Sequence, residues 1–189
     1  MINHPFKLYS MENKKNALLN HSIVYGLVTG GLLVLLSLII NLSNLGPKNP
    51  IVYLSYLILI AGIIWGSKEY RDKIMGGFIS YGNSLLVGFL IGMFAALISA
   101  VFTFIYIKFI DPAIVEKWLE IAETSMLEKN PNMSQDQIDT AMNMTQKFMK
   151  PGWMLITGFI GQTFISFILS LIVSIFIKKE DQMFGNTNQ

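Results

Sequence analysis

Residues 84–109 read SLLVGFLIGMFAALISAVFTFIYIKF, and this stretch decides the fold class. It holds no acidic residue and no histidine, and its one charge, Lys108, stands at the far end. A hydrocarbon core about 30 Å thick is crossed by roughly 20 apolar residues of helix, so Ser84–Phe109 is long enough to span it. Three further stretches share the pattern: Ser22–Leu42, Ile51–Ser67 (the shortest) and Gly152–Ile177. The whole chain agrees with them. Its 189 residues are 52% hydrophobic and 14% charged, with a mean hydropathy of +0.50, whereas a typical globular protein carries roughly 25% charged residues. The expected fold is therefore all-α, a polytopic four-transmembrane-helix bundle with spans at about 22–42, 51–67, 84–109 and 152–177.

Helix-breaking residues punctuate these limits. Asn44-Leu45-Gly46-Pro47 and Pro50 make a tight connection between the first two spans. Asp111-Pro112 closes the third and opens a new helix, with Asp111 expected as N-cap and Pro112 as its first residue. Lys150-Pro151-Gly152 opens the fourth. Residues 1–21 and 178–189 are left as tails. The first span is longer than the 7–15 apolar residues of a signal peptide and no small-x-small site follows it, which argues against cleavage. MENKKNALLN reads as a natural start at Met11, making the first ten residues an upstream extension.

Charge gives an orientation. Lys7, Lys14 and Lys15 precede the first span, Lys68, Arg71 and Lys73 follow the second, and Lys178 and Lys179 follow the fourth. On the other side stand Lys48 and the segment 111–150. There Lys117, Lys129, Lys147 and Lys150 are outweighed by Asp111, Glu116, Glu120, Glu123, Glu128, Asp136 and Asp139. Positive charge concentrates on the cytoplasmic side, so both termini are expected inside a bacterial inner membrane. The absence of cysteine excludes thiol chemistry, disulfides and cysteine-rich metal sites. Only His4 and His21 could supply imidazole, and no cofactor or metal ligand set is recognisable. A net charge of +2 without a basic tract speaks against nucleic acid as a partner.

Helices in lipid associate through small residues that let backbones approach closely. Ser84, Gly88, Gly92, Ala96 and Ala100 recur every four positions, as do Gly158, Gln162, Ser166, Ser170 and Ser174. Ser22, Gly26 and Gly30 form a shorter stripe, and Gly62 and Gly66 another. Such stripes pack helices far more often than they line a pore. Gln162, the one large polar side chain deep in a span, is expected to hydrogen-bond to another helix, because an unpaired amide in hydrocarbon is costly. The spans so drawn hold no carboxylate or histidine, which counts against a proton-coupled mechanism.

Two polar segments remain. In 111–150, Ile114, Val115, Trp118, Ala122 and Met126 keep helical spacing, as do Ile138, Ala141, Met142, Thr145, Phe148 and Met149. Asn130-Pro131-Asn132 marks a turn, and Ser134 with Gln137 a capping box. The expectation is an extracytoplasmic amphipathic helical hairpin. Its methionines are spaced as a packing stripe rather than clustered as copper(I) ligands. In 67–83, SKEYRDKIMGGFISYGN, Glu69 and Lys73 sit four apart on one helical face, and Gly76-Gly77 permits a sharp bend. Lys68, Glu69, Tyr70, Arg71, Asp72 and Lys73 are candidate contacts to lipid headgroups or a partner, with Tyr70, Phe78 and Tyr81 as interface anchors.

GSKEYRDKIMGGFISYGNSLLVGFLIG (residues 66–92), followed by the acidic hairpin, resembles the bacterial membrane family called domain of unknown function 4199. The pattern rests on Tyr70-Arg71-Asp72 and on Gly77-Phe78-Ile79-Ser80-Tyr81-Gly82. The resemblance covers the chain from about Met11 and implies four spans and a membrane location. It carries no assigned activity and lends no site residues. The function expected from the residues is a non-enzymatic accessory or assembly subunit, with membrane lipids and a second copy or a membrane protein as partners. The alternative is an oligomeric small-solute transporter or channel. A lipid-modifying enzyme using Glu69, Arg71 and Asp72 is disfavoured, since no histidine, cysteine or metal-ligand cluster stands near them in the sequence.

Overall fold

A computed structural model describes residues 4–43, 45 and 49–180, with side chains from residue 15 onward. Its helices are α1 (His4–Leu42), α2 (Leu54–Glu69), α3 (Tyr81–Ile105), α4 (Ile114–Lys129), α5 (Gln135–Phe148) and α6 (Pro151–Ile177). A 3-10 turn, Pro50–Tyr53, leads into α2, and π-helical turns at Tyr70–Ile74 and Tyr106–Ile110 extend α2 and α3. Among the described residues, four continuous stretches are long and apolar enough to cross a membrane: Lys15–Leu42, Pro50–Ile74, Tyr81–Ile110 and Pro151–Ile177. The protein is an all-α polytopic membrane protein.

Several boundaries differ from those read in the sequence. Residues 4–21, read as a tail, are helical, since no glycine interrupts them and Pro5 falls in the first turn where proline is tolerated. The second span is longer than 51–67. Asn49 starts it by accepting the Ile51 N–H at 3.0 Å on its side chain, and the π turn carries it on to Ile74. Asp111 is not an N-cap. Its N–H closes the preceding π turn on Tyr106 O at 2.9 Å, and Pro112 holds the residue before it out of the helical region, so α4 starts at Ile114. Residues 44, 46–48 and 181–189, which include most of the first turn and of the C-terminal tail, lie outside the described residues.

The chain divides into two compact units, 1–99 with 161–189, and 100–160. In the first, four helices share one core made of Leu33, Leu59, Ile63, Tyr70, Ile79, Val87, Ile91, Ala95, Val173 and Ile177. Contacts give the register. Gly62 sits on Thr29 and Gly66 on Tyr25, so α1 and α2 run antiparallel. Gly88 sits on Ser170 and Gly92 on Ser166, so α3 and α6 do too, whereas Gly26 on Phe94 and Gly30 on Ile98 make α1 and α3 parallel.

The polarity of this unit is inverted relative to a water-soluble protein. Ser22, Thr29, Ser67, Ser84, Ser166, Ser170 and Ser174 are buried, while Leu32, Leu35, Leu57, Phe164, Ile168 and Ile172 face outward. An apolar outer band around a small-residue interior is what hydrocarbon solvent selects.

In the second unit Ala100, Tyr106, Ile107, Ile114 and Ile138 are buried. Helices α4 and α5 pack on each other across the turn in which Met133 N–H donates to Asn130 O at 3.2 Å. The start of α5 is set by the capping box, in which Ser134 N–H donates to Gln137 Oε1 at 3.0 Å. Phe148, at the end of the apolar stripe, is exposed and meets Trp153 edge-on at 6.2 Å between centroids.

Candidate functional site

A short charged segment, Lys68 to Lys73, closes α2 and follows it. Its helix widens instead of stopping: Met75 N–H donates to Tyr70 O at 3.0 Å and Gly77 N–H to Arg71 O at 2.8 Å. Gly76 and Gly77 then take φ of +67° and +91°, which residues with a Cβ adopt only under strain, and the chain reverses. The reversal brings Ile79 beside Lys179, where both main-chain groups of Ile79 bond to Lys179 at 2.9 Å. Ile79 itself is buried in the core.

Side chains strengthen this clasp. Arg71 places Nη1 at 3.2 Å from Ile177 O, one of the carbonyls that a helix C-terminus leaves unpaired. Its Nε and Nη2 grip both oxygens of Asp72 at 2.7 and 3.1 Å, a forked pairing that fixes the guanidinium plane. The Tyr81 hydroxyl donates to Leu171 O at 3.3 Å. Thus Tyr70-Arg71-Asp72 and the Gly77–Gly82 stretch act together, one strapping the end of α6 and the other turning the chain to meet it.

A second cluster lies between α1 and α2. His21 Nε2 is 2.8 Å from Gly66 O, and its ring stacks on Tyr25 at 4.4 Å and meets Tyr70 edge-on at 5.3 Å. Trp65 and Tyr25 meet edge to face at 5.1 Å between centroids. The Tyr25 hydroxyl lies against the Glu69 carboxylate, which also holds Lys73 one turn further on. The described spans therefore do contain a histidine and two carboxylates, His21, Glu69 and Asp72, because both helices extend beyond their apolar runs.

Several of the small residues stand where helices cross. A methyl group at Gly26 would come within 2.5 Å of Phe94 Cβ, and at Gly30 within 2.9 Å of Ile98 Cβ. At Gly88 it would meet Ile63 and Ser170 at 3.0 Å, and at Gly62, Gly66 and Gly92 it would overlap Thr29, Ile91 and Ser166. Ala96, Ser166 and Ser170 are fully buried. Ser166 returns its hydroxyl to Gln162 O at 2.8 Å. Gln162 departs from expectation: its half-buried side chain makes no hydrogen bond to another helix among the described residues. The hydroxyls of Ser22, Ser67, Ser84, Ser170 and Ser174 likewise have no partner there.

Of the candidate contacts, Lys68, Asp72 and Lys73 are exposed, Glu69 and Arg71 half-buried. Tyr70, read as an interface anchor, is only 3% exposed, because it continues the buried face of α2 that runs through Ile63 and Gly66 and meets His21 there. Tyr81 is also turned inward, onto Leu171 O. Sequence reasoning passed over His21, Tyr25 and Trp65, although a histidine in a chain with only two was itself a signal.

No curated protein and no solved structure matches this chain. One family model does, described as a protein of unknown function (DUF4199), and it covers residues 24–179, from within α1 through the clasp at Lys179. With four candidate spans and the clasp motif inside that range, the chain belongs to the DUF4199 family.

Proposed function

We propose that this chain is a non-enzymatic accessory or assembly subunit of the bacterial inner membrane, oriented with both termini inside, which works through protein and lipid contacts. The observation that carries this reading is how its polar groups are used. Arg71 and Asp72 hold each other and the end of α6, and Glu69 holds Lys73 and Tyr25. These contacts tie the segment to α1 and to the end of α6, which supports a structural use of Glu69, Arg71 and Asp72 over an enzymatic one. Close glycine crossings fill the interior of the four-helix unit, which favours adhesion over conduction. The amphipathic pair α4 and α5, with Leu127, Met144 and Phe148 exposed, offers a surface to present.

The test is gentle solubilisation of tagged protein from native membranes and identification of what co-purifies. A stoichiometric membrane-protein partner supports the reading. Solute flux or lipid turnover by the purified protein alone in liposomes overturns it in favour of a transporter or an enzyme.

A further inference from the structure

Not every cation at the clasp is spent on structure. Arg71 is committed to Asp72 and Ile177 O, and Lys73 to Glu69. Lys68 and Lys179 are exposed and pair with no carboxylate among the described residues. Both stand at the clasp: Lys68 lies one turn before Asp72 in the last turn of α2, and Lys179 is bonded through its main chain to Ile79, two residues beyond the Gly77 whose N–H closes on Arg71 O, so both act on the Asp72 carboxylate. Arg71 already neutralises Asp72, so the two lysines leave this spot with an excess of positive charge. Lys179 lies over the Phe78 ring at 5.4 Å, and on the same segment Ile74 is 42% and Phe78 39% exposed. Apolar side chains next to free ammonium groups at the end of a span suit the boundary between hydrocarbon and headgroups.

We propose that Lys68 and Lys179 form a two-lysine cradle for the phosphate of an anionic phospholipid, whose acyl chains lie along Ile74 and Phe78. The occupant is a lipid rather than a soluble phosphate because the cradle is continuous with exposed apolar surface, which a soluble anion would leave bare. Ammonium groups near an anionic surface attract it with a strength that salt screens. This inference names one lipid contact and stands whether or not a protein partner exists.

The experiment is native mass spectrometry of the full chain in mild detergent, titrated with phosphatidylglycerol, phosphatidylcholine or glycerol phosphate. The expected result is tighter binding of phosphatidylglycerol than of phosphatidylcholine, with no retention of glycerol phosphate. The Lys68→Gln/Lys179→Gln variant should lose on the order of 25-fold in affinity for phosphatidylglycerol, about fivefold per lysine. Lys68→Arg/Lys179→Arg should keep most of it, and Lys129→Gln/Lys147→Gln, on α4 and α5, should change nothing. Circular dichroism confirms that each variant is folded. Equal binding of the two lipids, a preference that survives the double glutamine variant, or retention of glycerol phosphate comparable to that of lipid would each overturn the proposal. Co-purification of a protein partner is read separately, so either idea can fail alone.

Discussion

The main chain of Ile79 bonds in both directions to that of Lys179, N–H to carbonyl and carbonyl to N–H, at 2.9 Å each. This single antiparallel pair joins the turn before α3 to the residues that leave α6. Arg71 on Ile177 O and Tyr81 on Leu171 O lie on either side of it in sequence. Three tethers from one short segment therefore hold the last two turns of α6.

Arg71 should be the strongest of the side-chain tethers. It is 17% exposed and bonds both a carboxylate and a helix-end carbonyl. Arg71→Ala is expected to lower stability by about 1.5–3 kcal/mol, the range for hydrogen bonds to charged groups. Arg71→Lys should recover only part, since an ammonium lacks the planar fork. Unfolding of the three proteins in one detergent checks this, and equal midpoints would remove Arg71 from the clasp.

The contact between Gly92 and Ser166 yields a compensating pair. Gly92→Ala should destabilise by about 1–3 kcal/mol, because its methyl overlaps Ser166 in a packed interior. Adding Ser166→Gly should restore much of the loss, with a coupling of about 0.5–3 kcal/mol. Gly161→Ala, which meets only open space, should stay within about 0.5 kcal/mol of the parent. Additive effects at 92 and 166 would contradict this packing.

Gly77 is held at φ +91° with open space around it, so conformation rather than crowding restricts it. Gly77→Ala is expected to destabilise by about 1–2 kcal/mol. The loss should register first as faster amide hydrogen exchange at Ile79 and Lys179. Unchanged protection at both amides would mean that the bend is not what brings them together.

Ser134→Ala should act locally. Loss of the capping box is expected to destabilise α5 by about 1 kcal/mol. Because 100–160 is a compact unit of its own, faster exchange should appear in α5 while amides of α1 and α2 keep their rates. Faster exchange throughout α1 and α2 would show instead that the two units open together.

What could be read in the sequence was whatever depends on near neighbours. The four apolar runs, the Glu69–Lys73 spacing, the bend at Gly76-Gly77 and the Ser134–Gln137 box are all local patterns, and each has its counterpart in the structure. What could not be read depends on register between distant helices. His21 to Gly66 O, Arg71 to Ile177 O and Tyr81 to Leu171 O all end on main-chain carbonyls, which every residue carries and no sequence pattern marks. The inward position of Tyr70 was legible but outweighed by its charged neighbours: it stands seven residues beyond Ile63 on the same buried face of α2, and its N–H still bonds to Gly66 O.

The small-residue stripe has a property that its neatness conceals. Ser84, Gly88, Gly92 and Ala96 repeat every four residues on α3, as do Ser166, Ser170 and Ser174 on α6. Sliding one helix past the other by a turn, about 5.4 Å, again sets small against small. The buried serine hydroxyls cast no vote, since those of Ser84, Ser170 and Ser174 hold no partner that such a slide would break. Adhesion along this seam is thus nearly degenerate, like a ratchet with identical teeth, and the tethers at Arg71, Ile79 and Tyr81 select the notch. Cutting them would leave the helices attached while erasing the information about where along one another they belong.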